Sequence, residues 1–111
     1  MGQACSKVSA ERIPSLMDEA ENGKGELVLV SSMIDAAAAQ VIASRLTLSS
    51  LVTLDLSDNM VEDTGAVAIC EALGDNLSLK RLVLKGNQIT DAGVEKMVNA
   101  LLPNRHLRCL D

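Results

Sequence analysis

The sequence predicts an α/β fold, a short right-handed solenoid in which each repeated unit supplies one strand and one helix. Three observations predict it. First, the leucines of one segment recur with the same spacing in a second segment: Leu51, Leu54 and Leu56, then Leu79, Leu82 and Leu84. Second, the spacing of apolar residues within each unit changes from alternating to helical. Third, aromatic residues make up 0% of the chain. A core of aliphatic side chains alone suits regular, thin layers, which stacked repeats provide.

The strand half of the unit is present in two complete copies. Residues 51–61 read LVTLDLSDNMV and residues 79–89 read LKRLVLKGNQI, so their apolar positions and their asparagines coincide; a third copy begins at residue 107. In each copy the LxL segment alternates as a short strand does. Asn59 and Asn87 then fall where the strand bends into a loop, and there a side-chain amide can satisfy backbone groups that no strand partner reaches. We therefore predict a structural role for both asparagines.

Helical spacing follows each strand. Residues 63–73 and 91–101 place apolar residues three and four positions apart, which predicts an amphipathic helix in each unit. Asp63 and Asp91 open these segments and are predicted as N-caps. Residues 35–46 read DAAAAQVIASRL and predict an earlier helix of the same kind.

The pattern LxxLxLxxN followed by an amphipathic helix resembles the leucine-rich repeats, and the unit length is similar to that of their ribonuclease-inhibitor-type subclass. The resemblance implies parallel strands on a concave face and helices on a convex face. The repeat domain is expected over 26–111, with a capping repeat at 26–50, repeats at 51–78 and 79–106, and a partial repeat at 107–111. Residues 1–25 are expected to form a mobile arm, with one short helical segment over 14–21.

The resemblance also implies that proteins bind through the concave strands. The outward strand positions are predicted to form this site: Glu26, Val28, Thr53, Asp55, Ser57, Arg81, Val83, Lys85 and Cys109. Asp55 lies diagonal to Arg81 and Lys85, close enough for cross-strand ion pairs. The alternative is a solvated face whose ion pairs contribute about 0–1 kcal/mol each. The strand edge at 107–111 is a second candidate, because an uncovered edge can bind a partner's strand or a second copy in a weak homodimer.

The amino terminus predicts a lipid anchor. Residues 1–7 read MGQACSK and match M-G-x-x-x-[ST], the N-myristoylation pattern, in which the amine of Gly2 accepts the acyl chain. One myristoyl chain binds a membrane with a constant on the order of 10⁴ M⁻¹, so stable attachment needs a second signal. Acidic side chains outnumber basic ones between Met1 and Glu26, which excludes a basic patch. Cys5 is therefore predicted as a palmitoylation site, and the alternative is an unmodified thiol.

Composition argues against several classes of function. A formal net charge of −5 and the lack of aromatic residues disfavour nucleic-acid binding. The three cysteines are far apart, which fits neither a disulfide framework nor a zinc site and predicts reduced thiols in the cytosol. Cys70 falls in the helical layer and is expected to be partly buried and unreactive. His106 has no predicted catalytic or metal partner, so we expect no enzyme activity, no metal and no cofactor.

These features predict a non-enzymatic adaptor or scaffold that binds a protein partner, cytoplasmic and held at a membrane surface by its acylated amino terminus. Two alternatives stay open. The resemblance allows a soluble regulator, an inhibitor or activator of an enzyme such as a GTPase. The chain can also be a fragment of a longer repeat protein.

Overall fold

The computed structural model describes residues 10–47, 49–74, 76, 78–102, 107 and 109–110. A single 3₁₀ turn at Ala10–Arg12 precedes four helices and four strands that alternate along this part of the chain. In chain order the elements are α1 (Ile13–Asn22), β1 (Glu26–Val28), α2 (Ala36–Leu46), β2 (Thr53–Asp55), α3 (Glu62–Leu73), β3 (Arg81–Val83), α4 (Asp91–Leu101) and β4 (Cys109–Leu110).

The strands form one parallel sheet in the order β1-β2-β3-β4. A helix connects each strand to the next, as parallel pairing requires. Leu27 lies beside Leu54, Leu54 beside Leu82, and Leu82 beside Leu110. The repeat in the sequence is therefore a repeat in space, and the architecture belongs to the predicted α/β class.

The core lies between the sheet and the helices and is aliphatic. Leu54 and Leu82, the middle residues of β2 and β3, are fully buried. Ile42, Ile69 and Met97 project from α2, α3 and α4 into the same buried cluster. Because side chains alternate along a strand, the residues on either side of these leucines point to the opposite side of the sheet.

The structure corrects the predicted boundary of the mobile arm. Residues 10–25 do not extend freely, because α1 packs against α2 and β1. Ile13 and Met17 of α1 are 0% exposed and belong to the core cluster. Glu21 accepts a hydrogen bond from the Ser49 hydroxyl at 3.2 Å. An amphipathic helix thereby covers the end of the sheet that the first repeat would otherwise leave open, as terminal caps of solenoids do.

The structure also corrects the predicted N-caps. Helix α3 begins at Glu62, one residue before Asp63, and its N-cap residue Val61 makes no side-chain capping bond. The N-cap of α4 is Thr90 rather than Asp91, and its hydroxyl accepts a hydrogen bond from the Gly93 N–H at 3.4 Å. Residue propensity favours aspartate at an N-cap. The packing of each helix against its neighbours, however, decides at which residue the helix begins and therefore which residue is its N-cap.

Candidate functional site

We call the side of the sheet opposite the core the free face. Its described members are Glu26, Val28, Val30, Thr53, Asp55, Ser57, Arg81 and Lys85. The strand register arranges them in rows across the sheet: Glu26 lies beside Thr53, which lies beside Arg81. The strand register thus brings the predicted binding positions together on the free face, apart from two. Cys109 has no described side chain, and Val83 points to the same side of the sheet but is buried there.

The two sides of the free face differ in character. On the β1 side, Val28 is 58% exposed and Val30 is 43% exposed, and they follow the exposed carboxylate of Glu26. On the β3 side the exposed residues are Arg81 and Lys85. The free face therefore runs from an apolar and acidic side to a basic side.

Val83 does not belong to the exposed surface, which corrects its prediction as a contact residue. It is only 4% exposed, although it lies outside the core cluster formed with the helices. Strand β3 has a neighbouring strand on each side, whereas β1 is the first strand of the sheet. In the middle of a sheet, strands about 4.8 Å away on both sides enclose a medium-sized side chain. At the edge of the sheet one of these strands is missing, so the equivalent Val28 stays exposed.

Asp55 makes its hydrogen bonds within its own chain segment. Its Oδ1 atom accepts from the Ser57 N–H at 3.0 Å and from the Ser57 hydroxyl at 2.6 Å. This is the local turn that short polar side chains form with the backbone two residues on. The predicted pairing of Asp55 with Arg81 and Lys85 is replaced by these bonds, so both basic side chains extend from a surface whose central carboxylate is already engaged.

Asn59 holds the loops that follow two adjacent strands. Its Nδ2 donates to the carbonyl oxygens of Leu29 and Leu56, each at 2.8 Å. Its Oδ1 accepts from the N–H groups of Ser32 at 2.9 Å and Ile34 at 3.0 Å. The amide side chain thus satisfies buried backbone groups of its own unit and of the preceding one.

Asn87 repeats the arrangement one unit later. It donates to the carbonyls of Leu56 at 2.7 Å and Leu84 at 3.0 Å, and it accepts from the Val61 N–H at 3.1 Å. Both asparagines are almost fully buried. A row of such bonds fixes where each strand ends, and so it fixes the spacing of the charged side chains on the free face.

A third buried asparagine, Asn76, was missed by the sequence-based reasoning. It is 1% exposed, and its Oδ1 accepts from the N–H groups of Ser78 at 2.9 Å and Leu79 at 2.7 Å. Its Nδ2 donates to the Leu46 carbonyl of the preceding unit. A signal for it was present, because Asn104 precedes Leu107 by the same interval as Asn76 precedes Leu79. Asn104 itself lies outside the described residues.

The remaining chemically reactive groups offer no site in the described part of the chain. Cys70 is fully buried, and burial, followed by the charge of Glu71, raises the pKa of its thiol to about 12. A thiol in this state is a poor nucleophile. No cluster of three or more His, Cys, Asp or Glu side chains among the described residues could hold a metal ion. Gly2, Cys5, His106 and the side chain of Cys109 lie outside the described residues.

Comparison with known proteins identifies the repeats. Residues 47–70 and 75–98 each match the family model described as Leucine Rich repeat. These units are leucine-rich repeats. No helix formed by the described residues is long and apolar enough to cross a membrane.

The relatives are much longer than this chain. NACHT, LRR and PYD domains-containing protein 14 of Mus musculus is 35% identical over 111 residues, which is 96% of this chain and 11% of the relative. The ribonuclease inhibitor of Sus scrofa is 35% identical over 83 residues, which is 73% of this chain and 18% of the inhibitor. The chain therefore spans less than a fifth of these relatives.

A solved structure shares the fold. The structure titled Leiomodin-1 Actin-Binding Site 2 superposes with a TM-score of 0.77 and 24% sequence identity, covering 91% of this chain and 57% of the leiomodin chain. At this identity the likeness concerns the arrangement of strands and helices.

Proposed function

We propose that the protein is a non-enzymatic adaptor or scaffold that binds a protein partner through the free face and is held at the cytosolic face of a membrane by acyl chains on Gly2 and Cys5. The observation that carries the binding role is the free face itself. It is a register-fixed surface of charged and apolar side chains that no described helix covers. Protein-binding surfaces gain affinity when their side chains are held in place before the partner arrives.

The chemistry of the free face indicates what kind of segment it binds. Arg81 and Lys85 on the β3 side suit carboxylate groups, with Arg81 able to form two parallel hydrogen bonds. Val28 and Val30 on the β1 side suit an apolar side chain. An extended segment that crosses the strands, with acidic residues at one end and an apolar residue at the other, complements both sides.

The membrane role rests on the acylation pattern around Gly2 and on the short distance to the repeat domain. Helix α1 begins at Ile13 and the described structure at residue 10. The segment from Gly2 to residue 10 therefore reaches no more than about 30 Å even when fully extended. Such an anchor would hold the α1 end of the domain close to the membrane surface.

Membrane association is the first test of this proposal. We expect Gly2→Ala to move the protein from the membrane fraction to the soluble fraction, since it removes the acyl acceptor. Cys5→Ser should weaken membrane attachment while myristate stays on Gly2, as measured by mass spectrometry. Equal membrane fractions for wild type and Gly2→Ala would contradict the anchor.

Charge reversal tests the binding surface. We expect the double variant Arg81→Glu with Lys85→Glu to lose the partner that co-purifies with the membrane-bound wild type, by at least about tenfold. Lys96→Glu on α4 makes the same kind of change on an exposed residue of the helical side and should retain it. A partner that survives the double variant but not the control would place binding on the helices and overturn the role of the free face.

A second candidate function is supported by the likeness to ribonuclease inhibitor. In this alternative the chain is a soluble inhibitor or activator of an enzyme such as a GTPase. Its expected outcome differs, because unacylated protein would change the rate of the target enzyme in solution and Gly2→Ala would leave that effect intact.

A further inference from the structure

Two methionines are exposed to solvent beyond the carboxyl ends of the strands. Met33 follows β1 and is 44% exposed, and Met60 follows β2 and is 37% exposed. The other two methionines that the structure describes, Met17 and Met97, are 0% and 5% exposed. Met33 and Met60 line one largely apolar hollow of about 360 Å³, so the two exposed thioethers are neighbours.

Hydrogen bonds hold both methionine loops in place. The N–H groups of Ser32 and Ile34, on either side of Met33, donate to Asn59 Oδ1 at 2.9 and 3.0 Å. The Met60 N–H donates to the Ile34 carbonyl oxygen at 2.8 Å. The exposure of the two methionines is therefore a property of well-bonded loops.

The next loop of the same kind carries a polar residue at the equivalent position. Met60 directly follows Asn59, and Gln88 directly follows Asn87 in the loop after β3. Gln88 is exposed, and its φ of 59° is close to the φ of 57° at Met33. A polar side chain at this position is thus compatible with the fold of the loop.

We propose that Met33 and Met60 form a paired oxidation site, at which hydrogen peroxide converts both thioethers to methionine sulfoxide while the fold is retained. In each reaction the sulfur attacks one peroxide oxygen, an S–O bond forms, the O–O bond breaks, and the second oxygen leaves with both hydrogens as water. The sulfur is oxidised by two electrons and the peroxide is reduced. Burial protects the sulfurs of Met17 and Met97 from the same reaction.

A consequence for partner binding rests on the proposed function. Met33 follows Val30 of the free face by three residues, so oxidation places polar oxygens beside the apolar side of that face. Conversion of a flexible apolar side chain to a polar one disrupts contact surfaces that contain methionine. Methionine sulfoxide is reduced enzymatically, so the effect on binding is reversible.

Limited oxidation of the full chain with hydrogen peroxide tests the site without any partner. The four described methionines fall in four separate tryptic peptides, so mass spectrometry follows each one, and peptide fragmentation separates Met60 from Cys70. We expect Met33 and Met60 to gain oxygen at least about tenfold faster than Met17 and Met97 in the folded protein, and all four to react at similar rates in urea. Circular dichroism should show that protein oxidised at the two exposed positions stays folded. Similar rates in the folded protein, or unfolding on oxidation of Met33 and Met60, would overturn the proposal.

A sulfur-free variant tests the consequence for binding. Met33→Leu with Met60→Leu removes both sulfurs and keeps apolar side chains of similar volume. We expect peroxide to release the partner from the wild type, methionine sulfoxide reductase to restore binding, and the leucine variant to keep the partner throughout. Equal loss in both proteins would assign the effect to another residue and overturn the regulation. If Arg81→Glu with Lys85→Glu retained the partner, the proposed function would fail, whereas the oxidation rates of the isolated chain do not depend on it.

Discussion

The side-chain amide of Asn59 shows how much of the structure depends on single residues. It bonds backbone groups in two consecutive loops. Three of these four hydrogen bonds are buried from water, and the one from the Ser32 N–H is partly buried. Each buried group left without a partner costs about 1–3 kcal/mol. A residue of this kind stabilises the fold through the groups it satisfies rather than through its own burial.

We expect Asn59→Ala to lower the free energy of unfolding by about 3 kcal/mol or more, because it leaves several of these groups unsatisfied at once. Urea titration followed by circular dichroism measures the loss. Asn99→Ala makes the same chemical change at an exposed position of α4 and should have an effect within about 0.5 kcal/mol. Similar losses in both variants would contradict the assigned role.

Asp63 joins two units through the start of α4. Its carboxylate accepts hydrogen bonds from the Thr90 hydroxyl and from the Thr90 N–H, and these two bonds, followed by the charge of Lys96, lower the pKa of Asp63. A carboxylate whose pKa is lower in the folded state than in the unfolded state stabilises the fold at pH values above the unfolded-state pKa of about 3.9. That stabilisation is lost as the pH falls through the lower pKa of the folded state. The contribution is therefore present at neutral pH and disappears in acid.

The stability difference between wild type and Asp63→Asn should follow that sign. We expect wild type to melt at a higher temperature at pH 7, and the difference to shrink as the pH falls below about 4. Thr90→Val removes the hydroxyl donor while the carboxylate stays, and it should raise the pKa of Asp63 measured by NMR. A difference in melting temperature that is constant with pH would show that the charge of Asp63 contributes nothing.

At the scale of elements, the distance between helices depends on small residues. Gly65 of α3 faces α2 so closely that a Cβ atom would lie 2.8 Å from both the Ala39 Cβ and the Val61 Cγ1 atoms. These atoms belong to short, rigid side chains in packed positions, so the neighbouring segments would have to move. Alanine otherwise stabilises a helix by up to about 1 kcal/mol relative to glycine, and here the steric effect opposes that gain.

We expect Gly65→Ala to be destabilising by about 1–3 kcal/mol, the usual range for an overpacked site. Gly23→Ala is the control, because a Cβ atom there meets nothing closer than 3.5 Å. Thermal melts of the two variants give the comparison. A stabilised Gly65→Ala variant would mean that α2 and α3 separate without loss.

At the scale of the whole molecule, α1 extends the core ahead of the first repeat. Ile13 and Met17 continue the core beyond the first repeat, and the Glu21 carboxylate accepts hydrogen bonds from Ser49 and Ser50. A repeat array exposes apolar surface at each end, and a terminal cap removes that exposure. One end of this solenoid is covered in that way by α1.

Ile13→Ala and Met17→Ala should each lower the free energy of unfolding by about 2–5 kcal/mol, as large-to-small changes at buried sites do. Ser15→Ala is the control, because Ser15 is exposed on the same helix. Urea unfolding of the full chain provides the measurement. If all three variants were equally stable, residues 10–25 would behave as the mobile arm that the sequence predicted.

The sequence by itself determined the repeated unit. The recurrence of Leu54 and Leu56 as Leu82 and Leu84 set the strands, and helical spacing set the helices that follow them. Both patterns are local, because they depend only on which face of one strand or one helix is apolar. The same patterns return in the next unit, which supports the assignment of the strand and of the helix a second time. The position of Asn59 within the unit was visible for the same reason.

The tertiary structure decided everything that depends on contacts between units. The burial of Val83, the capping of α4 by Thr90 and the docking of α1 depend on register and on which neighbour lies beside each element. The apolar residues of α1 do follow helical spacing, and this pattern predicts an amphipathic helix. The pattern does not say which surface of the protein the apolar side of that helix packs against. Local sequence specifies which face is apolar, and only the assembled sheet and helices specify what that face meets.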